Sequence, residues 1–290
     1  MYELKSEAKG LVAHGISTCH GCGLELAMRT VLGALGERTI LVIPPGCAAM
    51  FSGYGKETAV KVAGIQGCLE NTAAIAAGIR AGLEVQGIED VNVVAFAGDG
   101  GTVDIGLQSL SGALERGDRI IYICSDNEAY MNTGIQGSGS TPYGARTTTT
   151  PAGKRNFRKD MLAIAVAHRI PYVASASAFY PEDLRRKVLK ARDCGGPAYI
   201  HMFMPCPTGW GYPSEKSVEI SELAVKTRIW PLYEVVNGKY RLTVTVNDPV
   251  PVERYLRMQR RFRSLTDEDI AAIQAFVDAE YEKLLERVNH

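Results

Sequence analysis

Runs of unbroken apolar residues alternate along this chain with stretches in which apolar positions recur every three or four residues. Val91-Asn92-Val93-Val94-Ala95-Phe96-Ala97 reads as a strand buried on both faces that runs straight into glycines. Ile120-Ile121-Tyr122-Ile123-Cys124 is a second such run, followed closely by Asp126-Asn127. Between them Ile105, Leu107, Leu110, Ala113 and Leu114 follow a helical pattern that Gly117 closes. The three pieces make a β-α-β unit. Its two strand ends lie side by side at the carboxyl edge of a sheet, where open α/β sheets bind ligands.

The same alternation extends over most of the chain. Residues 1–14 read as an arm that leads in, not as a core element. Residues 25–35 form an amphipathic helix with Leu26, Met28, Val31, Leu32 and Leu35 apolar, and residues 39–43 a buried strand closed by Pro44-Pro45-Gly46. Residues 58–67 fit no element. Residues 70–85 form a helix dense in Ala and Gly, small side chains that allow close packing. Residues 128–153 have no periodicity and are rich in Gly, Ser, Thr and Asn. Their place directly after Asn127 marks a functional loop. A helix over 161–167 and a strand over 172–174 follow. Next comes a helix over 181–192, whose Arg185, Arg186, Lys187, Lys190 and Arg192 read as a solvated face. Residues 198–204 are the last core strand. The expected fold is therefore α/β, a doubly wound parallel sheet. After residue 230 the character changes. Asn237-Gly238 between two short apolar runs signals a hairpin, and helices cover 251–262 and 266–288, the second opened by a capping-box pattern, Thr266-x-x-Asp269. This divides the chain into a domain over 1–230 and an extension over 231–290 that packs on the domain or on a partner subunit.

Composition narrows the class. Apolar residues are 46 % and charged residues 22 % of the 290, enough for a full core. Lys plus Arg and Asp plus Glu both number 32, and this balance argues against nucleic acid or an anionic membrane as the main partner. No apolar stretch resembles a secretory leader or a membrane span, so a cytoplasmic setting is expected. Thiols stay reduced there, and clustered cysteines more often bind metal.

Two groups of residues carry candidate chemistry. Gly98, Gly100 and Gly101 allow close backbone approach and offer N–H groups to phosphate oxygens. Asp99 supplies an anionic oxygen and Asn127, 28 positions on, a neutral one, a set that suits Mg²⁺ with a diphosphate. A strand-end turn followed by a helix cap would explain an isolated Gly-Asp-Gly, but not the second strand ending in Asn. The other group is Cys19, Cys22, Cys47 and Cys206, spaced C-x₂-C-x₂₄-C-x₁₅₈-C in loops and at strand ends. Four thiolates suit Zn²⁺ or an iron–sulfur cluster, and the spacing leaves both open. His20 merely occupies the Cys19–Cys22 knuckle. Cys124 reads as a small core residue, Cys68 as packing beside the site, and Cys194 has no evident role.

Gly-Asp-Gly with an Asn 28 residues on resembles the thiamine diphosphate motif. Longer runs are more specific. They are Gly98-Asp99-Gly100-Gly101-Thr102-Val103-Asp104-Ile105-Gly106, then Asp126-Asn127-Glu128-Ala129-Tyr130-Met131-Asn132-Thr133-Gly134, then Thr141-Pro142-Tyr143-Gly144-Ala145-Arg146. Together they resemble the thiamine-binding β subunit of the 2-oxoacid:ferredoxin oxidoreductases (pyruvate synthase-like), over about residues 15–265.

That resemblance implies a pyrophosphate-binding (PP-type) thiamine domain and coenzyme A-dependent oxidative decarboxylation of a 2-oxoacid. It implies that Cys19, Cys22, Cys47 and Cys206 hold a [4Fe–4S] cluster and that Asp99, Asn127 and the Ala129 carbonyl hold Mg²⁺. Gly98, Gly100 and Gly101 would cradle the diphosphate. Tyr130 and Asn132 would lie along the cofactor, with Asn132 as the catalytic residue at the reacting carbon and Cys47 beside thiamine. The catalytic Glu would come from a pyrimidine-binding α-type partner subunit; Glu70, the one local candidate, reads as structural or near that interface. A ferredoxin-like cluster subunit would pass electrons on to ferredoxin or NAD. The substrate would be pyruvate or, from the small residues over 62–71, a bulkier branched or aryl acid such as phenylglyoxylate. Two rivals are a non-redox thiamine enzyme and a zinc-stabilised scaffold subunit.

Overall fold

A computed structural model describes residues 3–4, 10–52 and 57–289. Half of the expected arm lies outside the described residues, but its end is core. Val12 and Ala13 are buried, and Val12 bridges to Val60. Two short strands, β1 (Glu3–Leu4) and β3 (Glu57–Thr58), pair in parallel. The main sheet contains β2 (Thr39–Ile43), β4 (Ala63–Gln66), β5 (Asn92–Gly98), β6 (Ile121–Asp126), β7 (Tyr172–Ser177), β8 (Ala198–Phe203), β9 (Tyr233–Val236) and β10 (Lys239–Leu242). Its order is β10-β9-β7-β8-β6-β5-β2-β4. The six strands from β7 to β4 are parallel, and β9 and β10 add an antiparallel hairpin beside β7.

The doubly wound expectation holds, because the central strands are apolar on both faces. One face buries Leu41, Val94, Phe96, Ile121 and Ile123 against α1 (Leu24–Leu35) and α5 (Pro181–Asp193). The other buries Val93, Ala95, Ala97, Tyr122 and Val173 against α2 (Thr72–Val85), α3 (Leu107–Arg116), α4 (Met161–Ala167) and α9 (Asp267–Asn289). A third cluster gathers Phe203, Trp210, Trp230, Tyr255, Phe262 and Ile273 around α6 (Pro207–Trp210), α7 (Ser217–Lys226) and α8 (Val252–Arg257). The Thr266 box forms: Asp269 N–H donates to Thr266 Oγ1 at 3.2 Å, and Thr266 N–H to Asp269 Oδ2 at 3.0 Å. Asn237 and Gly238 both have positive φ, 49° and 81°, as a two-residue hairpin turn requires. Among the described residues no helix is long and apolar enough to cross a membrane.

Three expectations fail locally. Residues 63–66, within the stretch that fitted no element, form the edge strand β4, exposed at all four positions. Leu26 and Ile105 face solvent, Ile105 because a wide turn over Gly100–Asp104 delays the start of α3. Lys187 is 1 % exposed instead of solvated; its ammonium meets Asp183 at 2.5 Å and Thr243 Oγ1 at 2.8 Å, so an ion pair satisfies it in place of water.

Candidate active site

Parallel pairing sets Gly98 beside Ser125, so the chain leaves β5 and β6 at the same level of the sheet. Cys47, Gly98, Asp99, Gly100, Gly101, Asn127, Ala129, Tyr130 and Asn132 all line one cleft there. Pro44, Pro45, Leu69, Met131 and Thr133 are also part of its wall. A Cβ on Gly98 would meet nothing within 4 Å, whereas one on Gly100 would collide with the Tyr130 ring. Glycine thus leaves room on one side and admits an aromatic wall on the other. Of residues 62–71 only Leu69 reaches the cleft among the described residues; Gly64 sits in β4, and a side chain at Gly67 would strike Ile75.

Inside the cleft three oxygens converge. The Asn127 side-chain oxygen lies 3.2 Å from Asp99 Oδ1 and 2.8 Å from the Ala129 carbonyl oxygen, with no donor between them. Turned over, the amide would donate to both, so the oxygen-inward arrangement is one that a cation relieves. Asp99 is buried and accepts Ser138 Oγ at 2.5 Å. Burial, then Asp126, pushes its carboxyl up, the state of an anion that lacks a counter-charge. One carboxylate, one amide oxygen and one carbonyl make a donor set that fits Mg²⁺ shared with phosphate oxygens.

A polar frame surrounds this triangle. His201 meets Asp126 Oδ2 at 2.7 Å; the carboxylate needs a donor, which assigns the proton to Nε2 and leaves Nδ1 to accept Tyr199 Oη at 2.8 Å. Burial drives Asp126 up, but the hydrogen bond from His201 leads the effects that oppose it, and its carboxyl lies below the usual range. Glu128, buried beside Asn127, pairs with Arg261 at 2.5 Å and Arg158 at 3.6 Å. Lys154 donates to the carbonyls of Ser138, Thr141 and Gly139 at 2.9, 2.7 and 3.3 Å. Sequence reasoning missed Ser138, Glu128, Lys154, His201, Trp210 and Arg261. Only Glu128 carried a local signal, an acid inside the motif that must find a cation if buried.

The four cysteines gather next to the cleft. Cys19 and Cys22 flank a turn whose third residue, Gly21, has φ 72°. Cys47 follows β2 and Gly46, and Cys206 caps α6 by accepting Gly209 N–H at 3.3 Å. Every pair among the four thiols interacts electrostatically. Burial above all pushes Cys22 up to about 11 and Cys47 up to about 12, and raises Cys206. Yet among the described residues no three His, Cys, Asp or Glu side chains are placed to hold one metal ion. Four neighbouring thiols are a donor set that fits a [4Fe–4S] cluster, which takes each thiolate on a different iron. Cys124 is buried in the sheet, Cys68 is exposed, and the Cys194 thiol donates to Ala191 O at 3.2 Å. Glu70 is half-buried, and its carbonyl accepts Ser109 Oγ at 2.8 Å.

Residues 44–202 match the family described as thiamine pyrophosphate enzyme, C-terminal TPP binding domain. Pyruvate synthase subunit PorB of Methanothermobacter thermautotrophicus is 51 % identical over 286 residues, covering 97 % of this chain and 99 % of the relative. Ketoisovalerate oxidoreductase subunit VorB of Pyrococcus furiosus is 49 % identical over 282 residues, 93 % of this chain and 91 % of the relative. A solved 2-oxoglutarate:ferredoxin oxidoreductase from Magnetococcus marinus shares the fold, with a TM-score of 0.61 at 23 % identity over 72 % of each chain. Identity near one half along nearly the whole length makes the conclusion plain: the chain belongs to the thiamine diphosphate-binding β subunits of the 2-oxoacid:ferredoxin oxidoreductase family.

Proposed function

We propose that this subunit binds Mg²⁺ and thiamine diphosphate in the cleft, carries a [4Fe–4S] cluster on Cys19, Cys22, Cys47 and Cys206, and serves a coenzyme A-dependent 2-oxoacid oxidoreductase. The observation that carries the reading is the convergence of the Asp99, Asn127 and Ala129 oxygens in a cleft that Cys47 also lines. Thiamine diphosphate, when bound, supplies a nucleophilic carbon and an electron sink for loss of carbon dioxide. Asp99, Asn127 and Ala129 hold the metal. The backbone at Gly98, Gly100 and Gly101 lines the diphosphate. Tyr130 and Asn132 face the cofactor, and Asn132 is the catalytic residue this chain contributes. Leu69 and Met131 are the apolar wall that keeps water out. Cys47 lines the cleft and would also be one of the four cysteines that hold the cluster.

The activating Glu, coenzyme A binding, further clusters and transfer to ferredoxin or NAD belong to partner subunits in a cytoplasmic complex. The substrate is pyruvate or a bulkier branched or aryl 2-oxoacid, with the pocket completed by the pyrimidine-binding subunit. A zinc scaffold has no use for the converging Asp99, Asn127 and Ala129 oxygens, and a non-redox thiamine enzyme has no use for the four cysteines.

The test uses the complex captured anaerobically through this chain. Pyruvate, a branched 2-oxoacid, 2-oxoglutarate, oxalate and phenylglyoxylate are offered with coenzyme A and a low-potential dye. Dye reduction by one acid, lost in Asp99→Asn together with bound thiamine diphosphate, is expected. No reduction by any acid, with thiamine and iron both present, overturns the redox reading.

A further inference from the structure

The segment that carries two of the three converging oxygens is clamped from behind. Glu128, between Asn127 and Ala129, has φ 63°, a conformation few residues with a Cβ adopt. Each of its polar groups is engaged. Its N–H donates to Asp126 Oδ1 at 2.7 Å, and its carbonyl accepts Thr141 Oγ1 at 2.6 Å. Its carboxylate accepts Arg261 Nη2 at 2.5 Å, with both side chains no more than 4 % exposed. The Asn127 carbonyl accepts the Trp210 indole N–H at 2.8 Å. The Arg261 guanidinium carbon sits over that indole, 3.7 Å from its centroid, and its Nε donates to Gln259 at 2.8 Å. Trp210, Gln259 and Arg261 therefore clamp the segment from far along the chain, after the last parallel strand.

We propose that Glu128, Arg261 and Trp210 are positioning residues that fix the spacing of the Asn127 and Ala129 oxygens, and thereby make the site select Mg²⁺ over the larger Ca²⁺. The inference rests on the metal–diphosphate reading of the cleft. An octahedral ion with Mg²⁺ bond lengths sets neighbouring oxygens about 2.9 Å apart, and Ca²⁺ bond lengths set them about 3.3–3.7 Å apart. The Asn127–Ala129 separation that the clamp sets is 2.8 Å, in the smaller class, and the Asn127–Asp99 separation, 3.2 Å, falls between the two. A free loop would widen to admit Ca²⁺ at little cost. This one has to draw the Asn127 carbonyl off Trp210 and the Glu128 carboxylate off Arg261 to do so. Trp210 also closes the short helix that Cys206 caps, so the metal loop and one cysteine turn share a brace.

The experiment measures thiamine diphosphate affinity calorimetrically on the assembled complex, stripped of metal and cofactor, with saturating Mg²⁺ or Ca²⁺. Trp210→Phe keeps a ring under Arg261 and removes the N–H; Glu128→Gln removes the charge. For each, affinity with Mg²⁺ is expected to fall about tenfold, the worth of one buried hydrogen bond, and affinity with Ca²⁺ less than threefold. Arg261→Lys should recover part of the Mg²⁺ preference lost in Arg261→Gln. A clamp that merely stabilises the fold would lower both affinities together or neither, and either result overturns the proposal. If Trp210→Phe fails to assemble, Glu128→Gln carries the same comparison. Unaltered protein that binds thiamine diphosphate with neither ion refutes the underlying cleft reading instead.

Discussion

Replacing Lys154 by Met tests how a long segment without helix or strand stays ordered. Its ammonium donates to the carbonyls of Thr141, Ser138 and Gly139 at 2.7, 2.9 and 3.3 Å. The same turn sends Ser138 Oγ to Asp99 and Thr141 Oγ1 to the Glu128 carbonyl, so Lys154 acts on the cleft through two intermediates. Burial lowers the ammonium's pKa while Asp104 and Glu128 work against it. Two of the three contacts are short, and each charged hydrogen bond contributes about 1.5–3 kcal/mol. The side chain is half-exposed, so water recovers part of this, leaving about 2–3 kcal/mol. That raises the local opening equilibrium about 30- to 150-fold. Hydrogen exchange read by mass spectrometry on the assembled complex is the assay. Peptides over 136–146 should lose protection by that factor, and peptides over β6 should not. Equal loss in both would mean global destabilisation, and no loss would mean that the ammonium does not hold the turn; either refutes the reasoning.

Two further predictions concern buried contacts. Burial pulls Lys187 down to about 8, against the attraction of Asp183. Between pH 8 and about 10.4 the unfolded chain therefore holds a proton that the folded chain has released, so stability rises with pH across that window. Relative to Lys187→Met, the unaltered protein should gain about 3 kcal/mol from pH 8 to 10.5, and a difference that stays flat in denaturant titrations would contradict the burial account. A Cβ on Gly209 would press on the Met131 thioether, its methyl only 2.7 Å away, and would stand 3.5 Å from Cys206 Sγ. Gly209→Ala should destabilise by about 1–3 kcal/mol and lower iron content, and Met131→Ala in the same protein should restore both; absence of rescue would place the strain elsewhere.

Where one apolar pattern decided the structure, the sequence was readable. Val93 to Ala97 and Ile121 to Cys124 could hardly be anything but central strands, and both motif residues lie just past their ends. Where burial depends on a distant partner, it was not. Lys187 looks like any basic helix residue until Asp183 and Thr243 enclose it. Ser138 is one serine in a polar loop, and only folding brings it to Asp99, 39 positions away. The Glu128–Arg261 pair spans 133 positions, with no spacing to betray it. The small residues at 64 and 67 pointed to a roomy pocket, but β4 and Ile75 claim those positions and Leu69 alone meets the cleft.

The exposed strand β4 bears on how the protein is made. Ala63-Gly64-Ile65-Gln66 carries no lysine, proline or other charge, the devices by which sheet borders usually repel newcomers. Among the described residues it hydrogen-bonds to β2 alone, so its outer row of backbone groups stays open. A newly synthesised copy is therefore sticky until something covers that border. Synthesis alongside its partner subunits should keep it dispersed, and synthesis alone should feed edge-to-edge aggregation.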